Sequence, residues 1–245
     1  MEIGHIEDNR SSSTAYIHER WQAKRRFLRF LLRTIAFAFL IKIDKVEGLE
    51  NIPKVGPVLL FFNHIAFVDP IVMVYVVPRD IVPLAKIEVY DYPIIGIFPR
   101  LWGVVPVRRE EFDRRAIKQA LDVLAAGESL LVAPEGTRND QLQPGKEGLA
   151  YLASRSGAPI VPVMLEGTPA FPALRFFSSR WRNRGVHVRF GRPFRYRPDL
   201  QRADREQLHK MMDEAMYLLA SMVPEHRRGI YADLSKSTQD TIEML

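Results

Sequence analysis

Four short apolar runs constrain the fold of this chain more than any other feature. Residues 58–62, 130–133, 160–165 and 186–190 are each too short for a stable helix and are bounded by Gly, Pro or polar residues, which predicts buried strands. Longer segments with helical periodicity lie between and after them. Phe112, Ala116, Ile117, Ala120, Leu121 and Leu124 mark an amphipathic helix stopped by Gly127, and residues 149–156 suggest a shorter one. Asp204 and Gln207 form the pattern of a capping box, opening a helix whose apolar positions are Leu208, Met211, Met212, Ala215, Leu219 and Met222. The methionines read as core filler. Strands alternating with helices predict an α/β domain with a central mixed sheet flanked by helices.

The 245 residues suffice for one such domain with an appendage. Lys and Arg total 35 against 29 Asp and Glu, a formal charge of +6, so an anionic partner is expected. The chain contains no Cys, which excludes disulfides, thiolate metal sites and a cysteine nucleophile. Near the N-terminus the longest uncharged apolar stretch, residues 34–41, falls well short of the roughly 20 residues that cross a bilayer. A polar leader, residues 2–13, precedes the basic and apolar residues. That order is not the order of a secretory signal, and the mature protein is expected to begin near Met1.

Residues 16–43 contain neither Gly nor Pro. Leu28, Leu31, Leu32, Ile35 and Phe39 fall on one helical stripe, Arg25, Arg29 and Arg33 on another, and Trp21 stands near one end. A helix packed on the core has the same periodicity as one lying in a membrane interface, where guanidinium groups meet lipid phosphates. Phe37, Leu40 and Ile41 make further faces apolar and favour the membrane. The expected organisation is therefore a leader and amphipathic membrane-associating helix over 1–45, the α/β domain over 46–223, and a loosely held polar tail over 224–245.

Two constellations follow predicted strands, where side chains leave the packed sheet and face a crevice. The first is Asn63-His64-Ile65-Ala66-Phe67-Val68-Asp69-Pro70. Imidazole takes a proton from a hydroxyl near neutral pH, and a carboxylate holds its tautomer. Asp69 ahead of Pro70 is equally a natural helix N-cap, a reading that needs no function. The second is Ala133-Pro134-Glu135-Gly136-Thr137-Arg138. There Gly136 lets a ligand approach the backbone, Arg138 offers a planar fork to a phosphate, and Glu135 can accept a hydrogen bond from a hydroxyl. A Pro-Gly turn with a solvated Arg is the plainer alternative. A third segment carries Lys86-Ile87-Glu88, then Pro93-Ile94-Ile95-Gly96, then Gly103-Val104-Val105-Pro106-Val107-Arg108, and so supplies two cations, Lys86 and Arg108.

Together with Val161-Pro162-Val163 after a Gly157-Ala158-Pro159 turn, these segments stand in the order and rough spacing of four motif blocks. Over about residues 46–193 the sequence resembles the glycerolipid acyltransferase family, whose best-known members are 1-acylglycerol-3-phosphate (lysophosphatidate) acyltransferases. The resemblance implies transfer of a fatty acyl group from coenzyme A or an acidic acyl-carrier protein to the free hydroxyl of a lysophospholipid. It implies no further cofactor and no metal, and an enzyme held at a membrane surface with anionic lipid, on the cytoplasmic face. His64 would be the general base and Asp69 its orienting partner. Lys86, Arg108, Glu135, Gly136, Thr137 and Arg138 would bind substrate, while Val161, Pro162 and Val163 would shape an acyl groove. The sequence departs from the family at Asn139, where many members carry Ser, and at the acidic Glu147 beside Lys146.

Eight arginines between Arg175 and Arg197, interleaved with aromatic rings and no acidic residue, would also suit a single nucleic-acid strand. That reading leaves all four blocks unexplained. A membrane-surface enzyme with a phosphorylated or acidic donor needs the same field, so no nucleic-acid partner is expected.

Overall fold

The computed structural model describes residue 17 and residues 19–93, 96–108 and 113–245. The polar leader, Tyr16, Ile94, Ile95 and Phe112 lie outside the described residues. Among the described residues nine strands form one mixed sheet in the order β1-β7-β6-β2-β5-β3-β4, with β8 pairing with β6 and β9 with β8. These strands are β1 (Ile43–Glu47), β2 (Val58–Phe62), β3 (Ile81–Lys86), β4 (Val105–Val107), β5 (Ser129–Val132), β6 (Ile160–Glu166), β7 (Val186–Phe190), β8 (Phe194–Tyr196) and β9 (Ile242–Met244). The run β6-β2-β5-β3-β4 is parallel, and β7 reverses direction against β6.

Strand β2 is apolar at every position and wholly buried because it has a packed layer on each face. Leu59 and Phe61 face α4 (Arg114–Ala125), α5 (Gly148–Ser156) and α6 (Arg205–Ala220). Val58, Leu60 and Phe62 face the other core, with α1 (Glu19–Leu31), α2 (Asp69–Val76) and α3 (Ile97–Trp102). The four runs read from sequence are β2, β5, β6 and β7. Of the other strands, β1, β4, β8 and β9 are too short, or too mixed in polarity, to stand out from loops. The capping box of α6 is present, with Asp204 accepting from the Gln207 N–H and Gln207 accepting from the Asp204 N–H, both at 2.9 Å.

Two expectations fail here. The first is the face by which the N-terminal helix meets its surroundings. The helix runs on from α1 as a π-helical segment, Leu32–Leu40, and ends before β1 rather than at Ile43. Arg25 is fully buried, with its Nε donating to the Trp102 carbonyl at 2.9 Å. Arg29 donates to the carbonyls of Val77 and Arg79 and pairs with Asp80 at 3.2 Å. Two of the three arginines assigned to lipid phosphates therefore face the protein, because an Arg stem buries well while its fork satisfies several carbonyls at once. Leu28, from the apolar stripe, is buried as well. The outward face instead carries Phe27, Phe30, Leu31, Ile35 and Phe39 with Arg26 and Arg33. Among the described residues no helix is long and apolar enough to cross a membrane.

The second is the C-terminal segment, which is tied down rather than loose. Buried Glu214 on α6 accepts from the Thr238 hydroxyl, the Asp240 and Thr241 N–H groups and the Thr241 hydroxyl at 2.5 to 3.0 Å. Strand β9 then pairs with β8.

Candidate active site

Because β2, β5, β3 and β4 are parallel neighbours, the segments that follow them emerge along a single sheet edge. His64 follows β2, Glu135 follows β5, Lys86 ends β3 and Arg108 follows β4. With neighbouring strands roughly 4.8 Å apart, Lys86 lies about two strand spacings from β2 and Arg108 about three.

His64 Nδ1 stands 2.8 Å from Asp69 Oδ2, with the imidazole partly open to solvent and the carboxylate fully buried. A buried carboxylate in this position takes the proton-bearing Nδ1 as donor, which leaves Nε2 as the basic nitrogen. The edge of the ring packs against Phe62. Asp69 Oδ2 also accepts from the N–H groups of Ile65 and Ala66, each at 2.7 Å. The expected N-cap is therefore corrected: Asp69 lies inside α2 and its carboxylate closes the turn before that helix, while Val68 occupies the cap position without a side-chain bond. Behind the pair, buried Asn63 donates to the Leu165 carbonyl at 2.9 Å and accepts from the Leu165 N–H at 2.8 Å. Those bonds join the end of β2 to β6.

Glu135 is 5% exposed, and its two oxygens accept from the backbone N–H groups of His64 at 3.4 Å and Gln143 at 3.0 Å. Asn139 N–H donates to the His64 carbonyl at 2.9 Å. Glu135 thus braces the His64 turn against its own loop, rather than presenting a free carboxylate to a substrate. Burial pushes its carboxyl up to about 7, against the opposing pull of the Gln143 and His64 N–H groups and the Asn139 amide. Gly136 has a φ of 72°, and a Cβ there would lie 3.2 Å from Cε of Lys146, so this lysine lies across the loop. The Lys146 N–H donates to the Pro134 carbonyl at 2.9 Å, a contact between residues twelve positions apart that the linear pattern does not reveal. Thr137 and Arg138 project into solvent beyond the loop. Lys86 is partly exposed and pairs with Glu88 at 3.0 Å, while exposed Arg108 has its N–H held by Asp113 at 2.9 Å.

A largely apolar cavity of about 540 Å³ opens beside this edge, between the sheet and α4 and α5. Leu84, Ala85, Val107, Ile117 and Leu152 line it, and Arg108, Lys146 and Arg205 stand on its wall. Its size falls in the usual range of ligand pockets. Val161, Pro162 and Val163 do not line it. They are buried inside β6, with Val161 and Val163 in the opposite core, so they cannot shape a groove as expected. Another contributor that the sequence did not reveal is Arg227. It grips Glu166 through Nε and Nη2 and the Asp140 carbonyl through Nη1, anchoring the far end of the Glu135 loop.

Known proteins are similar to this chain in sequence and fold. The family model described as Acyltransferase matches residues 44–166. The 1-acyl-sn-glycerol-3-phosphate acyltransferase of Borreliella burgdorferi is 35% identical over 130 residues, covering 51% of this chain and 52% of that protein. The Bacillus subtilis enzyme of the same name is 32% identical over 124 residues, covering 50% and 62%, and the human alpha form is 30% identical over 156 residues, covering 60% and 53%. The chain thus spans about half the length of the curated relatives it matches. The crystal structure of the LPA acyltransferase PlsC from Thermotoga maritima has a similar fold, with a TM-score of 0.59, 22% identity and coverage of 91% of this chain and 85% of that one. Since the family match extends over half of the sequence and takes in His64, Asp69 and the Glu135 loop together, the chain belongs to the acyltransferase family.

Proposed function

We propose that the protein moves a fatty acyl group from an acyl thioester, carried by coenzyme A or an acyl-carrier protein, to the free hydroxyl of 1-acylglycerol-3-phosphate at a membrane surface. The product is phosphatidic acid. The observation that carries this reading is the His64–Asp69 pair, whose geometry leaves Nε2 as the basic nitrogen on the edge that also holds the cations and the apolar cavity. The acceptor hydroxyl attacks the thioester carbonyl while Nε2 takes its proton. The tetrahedral intermediate collapses by breaking the C–S bond, and the imidazolium returns the proton to the departing thiolate. Asp69 stabilises the imidazolium and fixes the tautomer that makes Nε2 basic. No covalent acyl-enzyme is needed. The 540 Å³ cavity offers the acyl chain an apolar lodging, and Arg138, Arg108 and Lys86 supply positive charge for phosphates.

Incubating the purified protein with acyl-coenzyme A and acyl-carrier protein, each against a panel of lysolipids, with products identified by mass spectrometry, tests the proposal. Phosphatidic acid should form in preference to products from uncharged or zwitterionic acceptors. Turnover confined to an acceptor without a terminal phosphate would replace the acceptor, and no turnover with any would overturn the reading.

A further inference from the structure

The segment between β6 and β7 presents the two most exposed aromatic rings of the described residues. Phe176 is 75% exposed and Phe177 87%, with Leu174 beside them. Water-facing rings at this level are costly in a free monomer and mark a surface that meets something apolar. The segment is stitched to the end of the π-helix, with the Ala173 N–H donating to the Leu40 carbonyl and the Arg175 N–H to the Phe39 carbonyl, both at 2.9 Å. Phe176 approaches Phe39 with ring centroids 6.4 Å apart. The exposed rings of the segment and the outward residues of the N-terminal helix therefore meet in one apolar surface.

Behind Phe176 and Phe177 lies a cavity of about 680 Å³ whose polar wall is formed by Lys42, Arg175, Ser178, Ser179 and Arg182. Lys42 is committed to Asp44 and to the Asn183 carbonyl, and the Arg175 guanidinium lies 5.5 Å from the Trp181 ring. From residue 168 to 198 the sequence has no acidic residue. A second copy of the chain would set these arginines against their own kind. An anionic bilayer supplies both complements at once, hydrocarbon for the rings and phosphate for the cations.

We propose that residues 174–182 form a second membrane contact, in which Phe176 and Phe177 enter the interface and the adjoining cavity holds the phosphate of an anionic phospholipid against Arg182, Ser178 and Ser179. This rests on the membrane-surface reading above but concerns a different element from the N-terminal helix and a lipid that is not the substrate.

The test uses the full chain and cosedimentation with phosphatidylcholine vesicles, without and with roughly one-third phosphatidylglycerol. Phe176→Ser with Phe177→Ser should weaken binding to the anionic vesicles by about tenfold or more, since each ring loses its apolar burial. Arg182→Glu should weaken binding by about tenfold on the anionic vesicles and leave the weak binding to neutral ones unchanged. Unaltered thermal melts show that the variants are folded. Wild type that ignores both vesicles would remove the membrane reading and this proposal together. Wild type that binds, with variants that bind equally, would overturn only this contact. A defect of Arg182→Glu equal on both vesicle types would remove the phosphate site, and variants that lose binding to a single-stranded oligonucleotide while holding vesicles would assign the surface to nucleic acid.

Discussion

Arg25 and Trp102 hold the N-terminal helix to the domain through a two-step relay. Arg25 Nε donates to the Trp102 carbonyl at 2.9 Å, and the Trp102 indole donates to the Ile81 carbonyl at 2.7 Å, so a guanidinium on α1 is linked through α3 to β3. Arg25→Ala would leave a buried carbonyl unpaired and a cavity beneath the helix, at a cost of about 2 to 4 kcal/mol by chemical denaturation. Arg33→Ala, on the exposed side, should leave stability within about 0.5 kcal/mol while reducing binding to anionic vesicles. Equal stability losses in the two variants would contradict the burial pattern.

His64→Ala should lower kcat by at least roughly two orders of magnitude, in line with the worth of general-base assistance. Asp69→Asn should lose less if its main part is to orient the ring. Asp69→Ala carries a further cost, because the Ile65 and Ala66 N–H groups lose a charged acceptor, a stability loss of about 1.5 to 3 kcal/mol. Steady-state kinetics alongside thermal melts separates the two effects. An acyl-protein adduct trapped with donor alone would contradict direct attack.

Glu135 gives the fold a pH dependence of defined sign. Its carboxyl is raised in the folded state to about 7, so between the ordinary glutamate range and pH 7 the native chain binds more protons than the unfolded one. This group therefore favours folding most at low pH, and its contribution falls as pH rises through about 7. Glu135→Gln removes that titration and also one backbone acceptor, the second being an offset nearly independent of pH. The melting temperature of the variant minus that of wild type should accordingly increase from pH 5 to pH 8. Parallel curves would show that the carboxyl is not raised.

Arg138 extends from the loop braced against His64, whereas Arg108 follows a strand three positions along the sheet. If the acceptor phosphate lies by the loop, Arg138→Ala should raise the acceptor KM by about tenfold to a hundredfold, the worth of a charge-assisted bond. Arg138→Lys should recover only part, for lack of the bidentate fork. A larger acceptor effect for Arg108→Ala than for Arg138→Ala would move the phosphate toward β4.

Glu214→Ala should free the C-terminal strand, because four donors from Thr238, Asp240 and Thr241 lose their acceptor. Hydrogen exchange at residues 240–244 should quicken far more than exchange in β2. Uniform quickening across both would mean that the tail and the core unfold as one unit.

The linear sequence determined whatever depends on short-range pattern. The apolar runs of β2, β5, β6 and β7, the capped start of α6, and the pairing of His64 with Asp69 were all legible, because strand burial, capping and the reach of one turn act over a few residues. Only the tertiary structure decided which side of a helix or strand faces what. Helical periodicity separates the arginines of the N-terminal helix from its leucines but does not say which stripe the domain covers, and the carbonyls that claim Arg25 and Arg29 come from residues about 50 to 80 positions away. Val161 and Val163 read as groove until the opposite core closed over them, and Glu135 read as a substrate ligand until the N–H groups of His64 and Gln143 converged on it. The C-terminal segment looked free because its partner, Glu214, is an acidic residue on a helix face. A carboxylate shows whether it is solvated or clamped only after four donors from a distant segment have folded around it.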